Sequence, residues 1–200
     1  MMIWSSISVV ITAYLIGAIP SAYIAGRLLK GVDIREVGDR NVGAVNAFRE
    51  LGARAGIAVG IIDVGKGATA LLIAEALGVP LPALLLTGLA AVAGHNWPIF
   101  LKFRGGRGEA TTVGVLLTLM PREMLIVFGI AAVPFLISRN VILTSVFLFV
   151  PLPLVAWLLG ASGALIAYCI ALPCLVGFTH YITTRHLPAQ VNERGISSKC

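Results

Sequence analysis

Charge is scarce in this sequence: Asp, Glu, Lys and Arg make up 12% of its 200 residues, against 58% hydrophobic. So few charged groups cannot coat a water-soluble domain of this size, and a mean hydropathy of +0.95 makes lipid the solvent for much of the chain. Acidic residues are the scarcer sign, 9 against 15 Lys and Arg, which leaves a formal charge of +6. That excess resembles a nucleic-acid binder's, but it is equally what positive charge held on one side of a membrane and drawn to anionic headgroups looks like, and no nucleic-acid partner is expected. Cysteine is nearly missing: Cys169, Cys174 and Cys200 form no metal-ligand spacing, and the first two fall in an apolar run where sulfur packs, so neither metal nor other cofactor is expected. Met1 to Val10 contains no basic residue, and positive charge first follows the apolar run at Arg27 and Lys30, so a cleaved signal peptide is not expected; the order is a reverse anchor's. Repeats, low-complexity tracts and a soluble domain are missing as well.

What is present is a series of apolar runs. A helix needs roughly 20 mostly apolar residues to cross the bilayer core, and the chain is expected to be an all-α polytopic membrane protein, one integral membrane domain over residues 1–200. Seven spans are read: Ile3 to Gly26, Gly56 to Leu77, Leu81 to Leu101, Ala110 to Met120, Met124 to Ser138, Val141 to Leu159 and Ala161 to Thr184. The fourth and fifth are short and meet at Pro121-Arg122-Glu123, so a tilted or re-entrant pair, and with it a five-span count, stays open. With seven spans, 13 of the 15 Lys and Arg fall on one side, in a loop over 27–55, a loop over 102–109, at Arg139 and in a polar tail over 185–200. Lys and Arg resist translocation, so the N-terminus is expected outside and the C-terminus in the cytoplasm.

Three polar clusters stand out. The first runs from Gly31 to Gly52, with glycines at 31, 38 and 43 for tight turns and Arg35, Arg40, Asn41, Asn46 and Arg49 as donors. From Asn46 it reads as a short capped helix ending at Gly52 that lays Phe48 and Leu51 on the membrane. Taken alone, this stretch also reads as an ordinary basic cytoplasmic loop. The second cluster is Asp63-Val64-Gly65-Lys66-Gly67, inside the second span. Ionisable residues at that depth cost a few kcal/mol each unless paired or facing a polar cavity. Asp63 and Lys66, three residues apart, can pair, while Gly65 and Gly67 weaken the helix and expose backbone where a phosphate could approach. The third is Gly94-His95-Asn96-Trp97-Pro98 followed by Gly105-Gly106-Arg107-Gly108, which opens the fourth helix. A flexible amide nest, a fixed cation and the positive end of a helix dipole together suit a phosphate. His95 reads either as a hydrogen-bonded structural residue or as part of that site. All three clusters fall on one face, as one site for a phosphorylated, membrane-proximal substrate would.

The pattern Gly-x-Ile-Pro-x-x-Tyr at Gly17 to Tyr23, Gly-x-Asp-Ile-Arg at Gly31 to Arg35, Asn-x-Gly-Ala-x-Asn at Asn41 to Asn46, Asp-x-x-Lys-Gly at Asp63 to Gly67, and Gly-His-Asn-x-Pro with Gly-Gly-Arg-Gly at Gly94 to Gly108 resembles the acyl-phosphate:glycerol-3-phosphate acyltransferases of bacterial phospholipid synthesis. The resemblance covers about the first 115 residues in order and spacing. It implies a multi-pass protein of the bacterial inner membrane, its active site facing the cytoplasm, that moves a fatty acyl group from acyl phosphate to the 1-hydroxyl of glycerol 3-phosphate, giving lysophosphatidic acid without a cofactor. By motif, Arg35, Asn41 and Arg107 would bind or orient phosphate. Lys66 and the glycines of the Asp63 to Gly67 motif would shape the glycerol-phosphate pocket. His95 and Asn96 would orient substrate or stabilise the carbonyl oxyanion, and Asp39, Gly43, Asn46, Arg49, Gly105, Gly106 and Gly108 would complete the site. The His-x4-Asp pair of acyl-CoA-type glycerolipid acyltransferases is missing, since the residues five after His95, His180 and His186 are Phe100, Arg185 and Val191.

The chain also departs from the family. Gly38-Asp39-Arg40-Asn41 stands where the family reads Gly-Ser-Gly-Asn, so Asp39 replaces a serine expected to contact phosphate and would repel it unless Arg40 neutralises it. Glu109 replaces an apolar residue beside the nest, and Val45 a threonine. Ala68 stands where the family has proline after Lys66-Gly67, and the C-terminal His-Arg-x-Asn-Ile run is missing. These departures keep open a relative that binds a phosphorylated lipid or small anion without transferring it. Acyl-chain preference and oligomeric state leave no trace in the sequence.

Overall fold

A computed structural model describes residues 2–185, and every regular element among them is helical. In chain order these are α1 (Met2–Gly17), α2 (Ser21–Lys30), α3 (Ala44–Leu51), α4 (Ala53–Ala76), α5 (Leu81–Asn96), α6 (Glu109–Leu119), α7 (Pro121–Ser138), α8 (Val141–Phe149), α9 (Leu152–Leu158) and α10 (Gly163–Thr184), with one 3₁₀ turn at Ile99–Leu101. Six stretches are long and apolar enough to cross a membrane: Trp4–Lys30, Ala53–Ala76, Leu81–Leu101, Pro121–Ser138, Val141–Leu158 and Gly163–Thr184. The expected fourth span is α6, whose 11 residues fall short of that length. The expected fifth begins earlier than read, because Pro121 starts its helix instead of ending one: at the first helical position a missing N–H leaves no bond unmade. The polar tail lies outside the described residues apart from Arg185.

Two spans are each made of two helices. Pro20 has no N–H to continue α1, which stops at Gly17, and the chain restarts as α2 at Ser21. Val150-Pro151 likewise separates α8 from α9. In lipid such breaks persist only where other groups satisfy the freed carbonyls.

Lipid gives apolar surface no reason to hide, so helices associate where backbones approach closely. Glycine permits this at two crossings. Between α4 and α6, a Cβ at Gly67 would stand 2.2 Å from the Thr111 carbonyl oxygen and one at Gly114 1.9 Å from that of Val64. Between α1 and α5, Gly17 faces the Ala91 carbonyl oxygen at 2.0 Å and Gly94 that of Tyr14 at 2.1 Å in the same sense. Larger side chains, among them Leu71, Leu116, Met120, Met124, Leu152 and Leu172, fill the core joining α4 and α6 to the C-terminal helices, while Ile61, Leu136, Ile137 and Trp157 point outward. The short helix of the first loop starts two residues before Asn46, with Gly43 as its N-cap, and ends at Gly52 as expected. Its apolar side turns inward and not onto lipid: Leu51 packs on the cluster around Ile34, Ala47 and Leu101, and Phe48 lies against Gly56 of α4.

Gly114→Val is therefore expected to lower the thermal unfolding midpoint in detergent, by the ~1–3 kcal/mol typical of overpacking or more because the clash is with backbone. Gly65→Ala, where a Cβ meets nothing within 4 Å, should not lower it. Equal midpoints for the two variants would remove the close α4–α6 crossing from the account of stability.

Candidate active site

Lys66 ends up at the break between α1 and α2. Its ammonium donates to the carbonyl oxygens of Gly17 (3.1 Å) and Ile19 (2.8 Å), two carbonyls at the break, of which that of Ile19 also accepts the Ser21 N–H at 3.1 Å. It pairs with Asp63 at 2.9 Å and lies 3.2 Å from His95 Nδ1. Asp63 Oδ1 also accepts from the Ser21 hydroxyl at 2.6 Å. Both charges are withdrawn from solvent, Asp63 at 0% and Lys66 at 5% exposure. An ammonium has donors only, so His95 Nδ1 accepts, and the proton of a neutral imidazole sits on Nε2. Lys66, expected to shape the substrate pocket, thus serves as the cap of a broken helix. Gly67, against Thr111, serves helix packing.

The first loop is organised by two polar side chains. Asn46, fully buried, donates from Nδ2 to the carbonyl oxygens of Ile34 (3.2 Å), Val37 (3.2 Å) and Asn41 (3.0 Å) and accepts the Asp39 N–H at 3.2 Å. Asp33 holds Arg35 bidentately, Oδ1 to Nε at 3.0 Å and Oδ2 to Nη2 at 2.7 Å. These bonds from Arg35 hold the Asp33 carboxyl down to about 2. Arg35 further donates to the Leu101 carbonyl at 3.3 Å and lies over the Tyr23 ring, which makes it a strut of the loop. With Glu36, Arg40 and Arg104 it faces a separate surface pocket. Arg40 is not what neutralises Asp39. That partner is Arg107, whose Nη1 lies 3.1 Å from Asp39 Oδ2.

The glycine-rich loop wraps His95. The N–H groups of Gly105 and Gly106 donate to the carbonyls of Asn96 (3.2 Å) and His95 (3.0 Å), so these two amides are committed and form no open nest. A Cβ at Gly106 would stand 2.0 Å from His95 Nε2, and one at Gly108, whose φ is +82°, 2.4 Å from Asn96 Oδ1. The amides left for an anion are those of the first turn of α6, Glu109 to Thr111, since the first intrahelical bond runs from Thr112 N–H to Gly108. Asn96 stands behind this wall, donating to the Thr179 hydroxyl of α10 at 3.1 Å.

These elements enclose a cavity of about 360 Å³. Of the expected site residues, Asp39, Asn41, Gly43, Arg49, Asp63, His95, Arg107 and Gly108 line it; Arg35, Asn46, Lys66, Gly67, Asn96, Gly105 and Gly106 support it from behind or lie elsewhere. Two buried polar atoms of lining residues, Arg49 Nε and Asp63 Oδ2, have no partner. A second, apolar groove of about 460 Å³ runs among α8, α9 and α10 and meets the first cavity at Glu109, Ile142 and His180. The sequence reading missed what α10 contributes: His180 lines both spaces, and Thr183 accepts from Arg107 Nε at 3.3 Å. Polar residues at 179, 180 and 183 at the end of an apolar span were the available sign. It also left Glu109 unpartnered, whereas Ser145 of α8 donates to it.

The bundle of membrane-length helices matches solved structures. The fold superimposes with a TM-score of 0.83, at 36% identity over 92% of both chains, on the crystal structure of PlsY, an integral membrane glycerol 3-phosphate acyltransferase, in its glycerol 3-phosphate form. The lysophosphatidic acid form gives 0.80 at 35% identity, over 92% of this chain and 91% of that one. The sequence profile of the glycerol-3-phosphate acyltransferases matches residues 7–189. The chain belongs to the glycerol-3-phosphate acyltransferase family. Glycerol-3-phosphate acyltransferase 4 of Dehalococcoides mccartyi is 47% identical over 88% of this chain and 95% of its own length. The glycerol-3-phosphate acyltransferase of a Synechococcus strain is 36% identical over 98% and 100%.

In this family member the Lys66 cap is testable. Lys66→Met leaves Asp63 buried and unpaired and should destabilise by ~3–5 kcal/mol, and adding Asp63→Asn should recover part of that loss. Thermal unfolding of the three variants in detergent measures the coupling; additive effects would mean the pair does not hold the break.

Proposed function

We propose that this protein transfers a fatty acyl group from acyl phosphate to the 1-hydroxyl of glycerol 3-phosphate in the bacterial inner membrane, releasing lysophosphatidic acid and inorganic phosphate. The observation that carries the reading is the junction of the two spaces: a polar chamber with unpartnered Arg49 and Asp63 atoms, open at Glu109, Ile142 and His180 to an apolar groove. A water-soluble phosphate ester and a lipid chain meet there.

Each residue's contribution follows from its free valence. Arg49 has a buried N–H without a partner and takes the phosphate of the acceptor, with Asn41 beside it. The first-turn amides of α6 and Arg107 take the donor's phosphate. Asp63 Oδ2 accepts the acceptor's hydroxyl and orients it. His95 presents Nε2–H to the carbonyl oxygen, where negative charge develops. The hydroxyl oxygen bonds to the carbonyl carbon, the carbon–oxygen bond to phosphate breaks, and the hydroxyl proton passes to an oxygen of the departing phosphate. Phosphate is a good leaving group, so positioning and charge stabilisation suffice, with no covalent acyl-enzyme. The acyl tail lies in the groove between Phe149, Val150 and Ile170.

The distribution of Lys and Arg supports an N-terminus outside and an active site facing the cytoplasm. That orientation needs seven passes, with α6 as the short one. Its 11 residues reach about 16 Å, roughly half the bilayer core, so the loop before it dips into the membrane.

Purified protein given palmitoyl phosphate and labelled glycerol 3-phosphate should yield lysophosphatidic acid. Absence of acyl product across a range of acceptors, while phosphate ligands still bind, would defeat the enzyme reading. Arg49→Ala should raise the KM for glycerol 3-phosphate ~10–100-fold, the worth of a charged hydrogen bond, whereas His95→Ala should act on kcat, by ~100-fold or more. An unchanged KM in the first variant would move the acceptor's phosphate elsewhere.

A further inference from the structure

We infer that Asp39 competes with substrate phosphate for Arg107 and so sets how tightly the active site holds phosphate and how readily it releases the product. The inference rests on the acyltransferase reading above and goes beyond it in assigning Asp39 a role of its own.

Arg49 and Arg107 line the chamber, and Lys66 lies behind it. Lys66 is consumed by two carbonyls and Asp63. Arg49 lines the chamber with no carboxylate in salt-bridge range among the described residues. Arg107 lines it too, but its Nη1 is already met by Asp39 at 3.1 Å, with only 15% and 8% of the two side chains exposed. A carboxylate on an arginine is the same kind of contact as a phosphate on an arginine. The chain thus sets an anion of its own against that guanidinium.

Asp39 is held in that position. Its N–H is bound by Asn46 Oδ1 at 3.2 Å, and its Oδ1 accepts the Asn41 N–H at 3.1 Å, a local turn that aims Oδ2 at Arg107. Arg107 is steadied from its other side by Thr183 at 3.3 Å. A phosphate that reaches Arg107 therefore meets a fixed negative charge beside the cation. It binds more weakly than it would to the arginine alone, and the carboxylate retakes the guanidinium when phosphate departs. For a reaction that leaves inorganic phosphate in the chamber at every turnover, this raises KM and relieves product inhibition by the same device.

The test uses the full-length protein in detergent or lipid, with Asp39→Asn, which keeps an acceptor for the Asn41 N–H, and Asp39→Ser. In the transfer assay both variants should lower the inhibition constant of inorganic phosphate about tenfold, the size of one charge-assisted contact, and lower the KM for substrate in parallel without a matching rise in kcat. The same ordering should appear without turnover, as stronger protection of the fold by inorganic phosphate against heat. Arg107→Ala should abolish the difference between Asp and Asn at this position. An inhibition constant that stays the same or rises in the variants overturns the inference, because Asp39 would then be positioning Arg107 for phosphate and not displacing it. If the wild-type chain makes no acyl product, the acyltransferase reading fails separately. Phosphate protection still decides: stronger in the variants supports the competition, equal or weaker overturns it.

Discussion

A single buried ammonium holds the architecture together. Pro20 breaks the first membrane-length segment, and inside a bilayer the carbonyls freed by a break have no water to turn to. Lys66 donates to the Gly17 and Ile19 carbonyls at that break, and its own burial is tolerable because Asp63 neutralises it one helical turn away. The consequences spread outward. Asp63 is held by Ser21 of α2 on one oxygen, which leaves the other turned to the chamber. His95 is forced to accept through Nδ1, which leaves a proton on Nε2. The two groups proposed to meet the reacting atoms owe their orientation to a residue that does not line the chamber.

Around that pair the chain relies on the absence of side chains. Gly67 and Gly114 bring α4 against α6, and Gly17 and Gly94 bring α1 against α5. The N-terminus of α6 and the His95 end of α5 therefore come within reach of each other. Gly106 and Gly108 do the same for the loop between them, since any Cβ there would strike His95 or Asn96. The glycines of the third cluster are required, for fit around an imidazole more than for an anion nest.

The fold was legible because its signal is long and redundant: apolar runs of spanning length survive an error of several residues at each end, and the Pro20 and Pro151 breaks do not hide them. The short fourth run has the length read for it, 11 residues shifted by one, whereas the start of the fifth was missed because an apolar run says nothing about where the next helix starts, and Pro121 begins α7. In the site, the depth of Asp63 and Lys66 marked them as paired or functional, and the i, i+3 spacing gave the pair. Sequence could not distinguish the carbonyls 47 and 49 residues away that claim Lys66 from a substrate phosphate. Likewise Arg35 and Arg49 look alike as basic residues of one loop, yet one is saturated by Asp33 and the other has an N–H to spare. What separates binding from bracing is whether valences are already filled, and that is a property of the folded chain.

The same distinction bears on the positive charge with which the chain is so unevenly supplied. Thirteen basic residues were assigned to one face, but among the described ones only Arg49 and Arg107 line the chamber. One of those two is met by Asp39. On the proposed orientation and substrate, the charge that orients this membrane protein and the charge that binds its substrate are therefore largely different residues. Topology responds to the sum of Lys and Arg near the helix ends, whereas binding responds to cations left without a partner inside a low-dielectric chamber. Fixing the loop with Asp33 subtracts Arg35 from the second population and leaves the first unchanged. A strongly basic face and a sparingly cationic active site follow from that one sequence without contradiction.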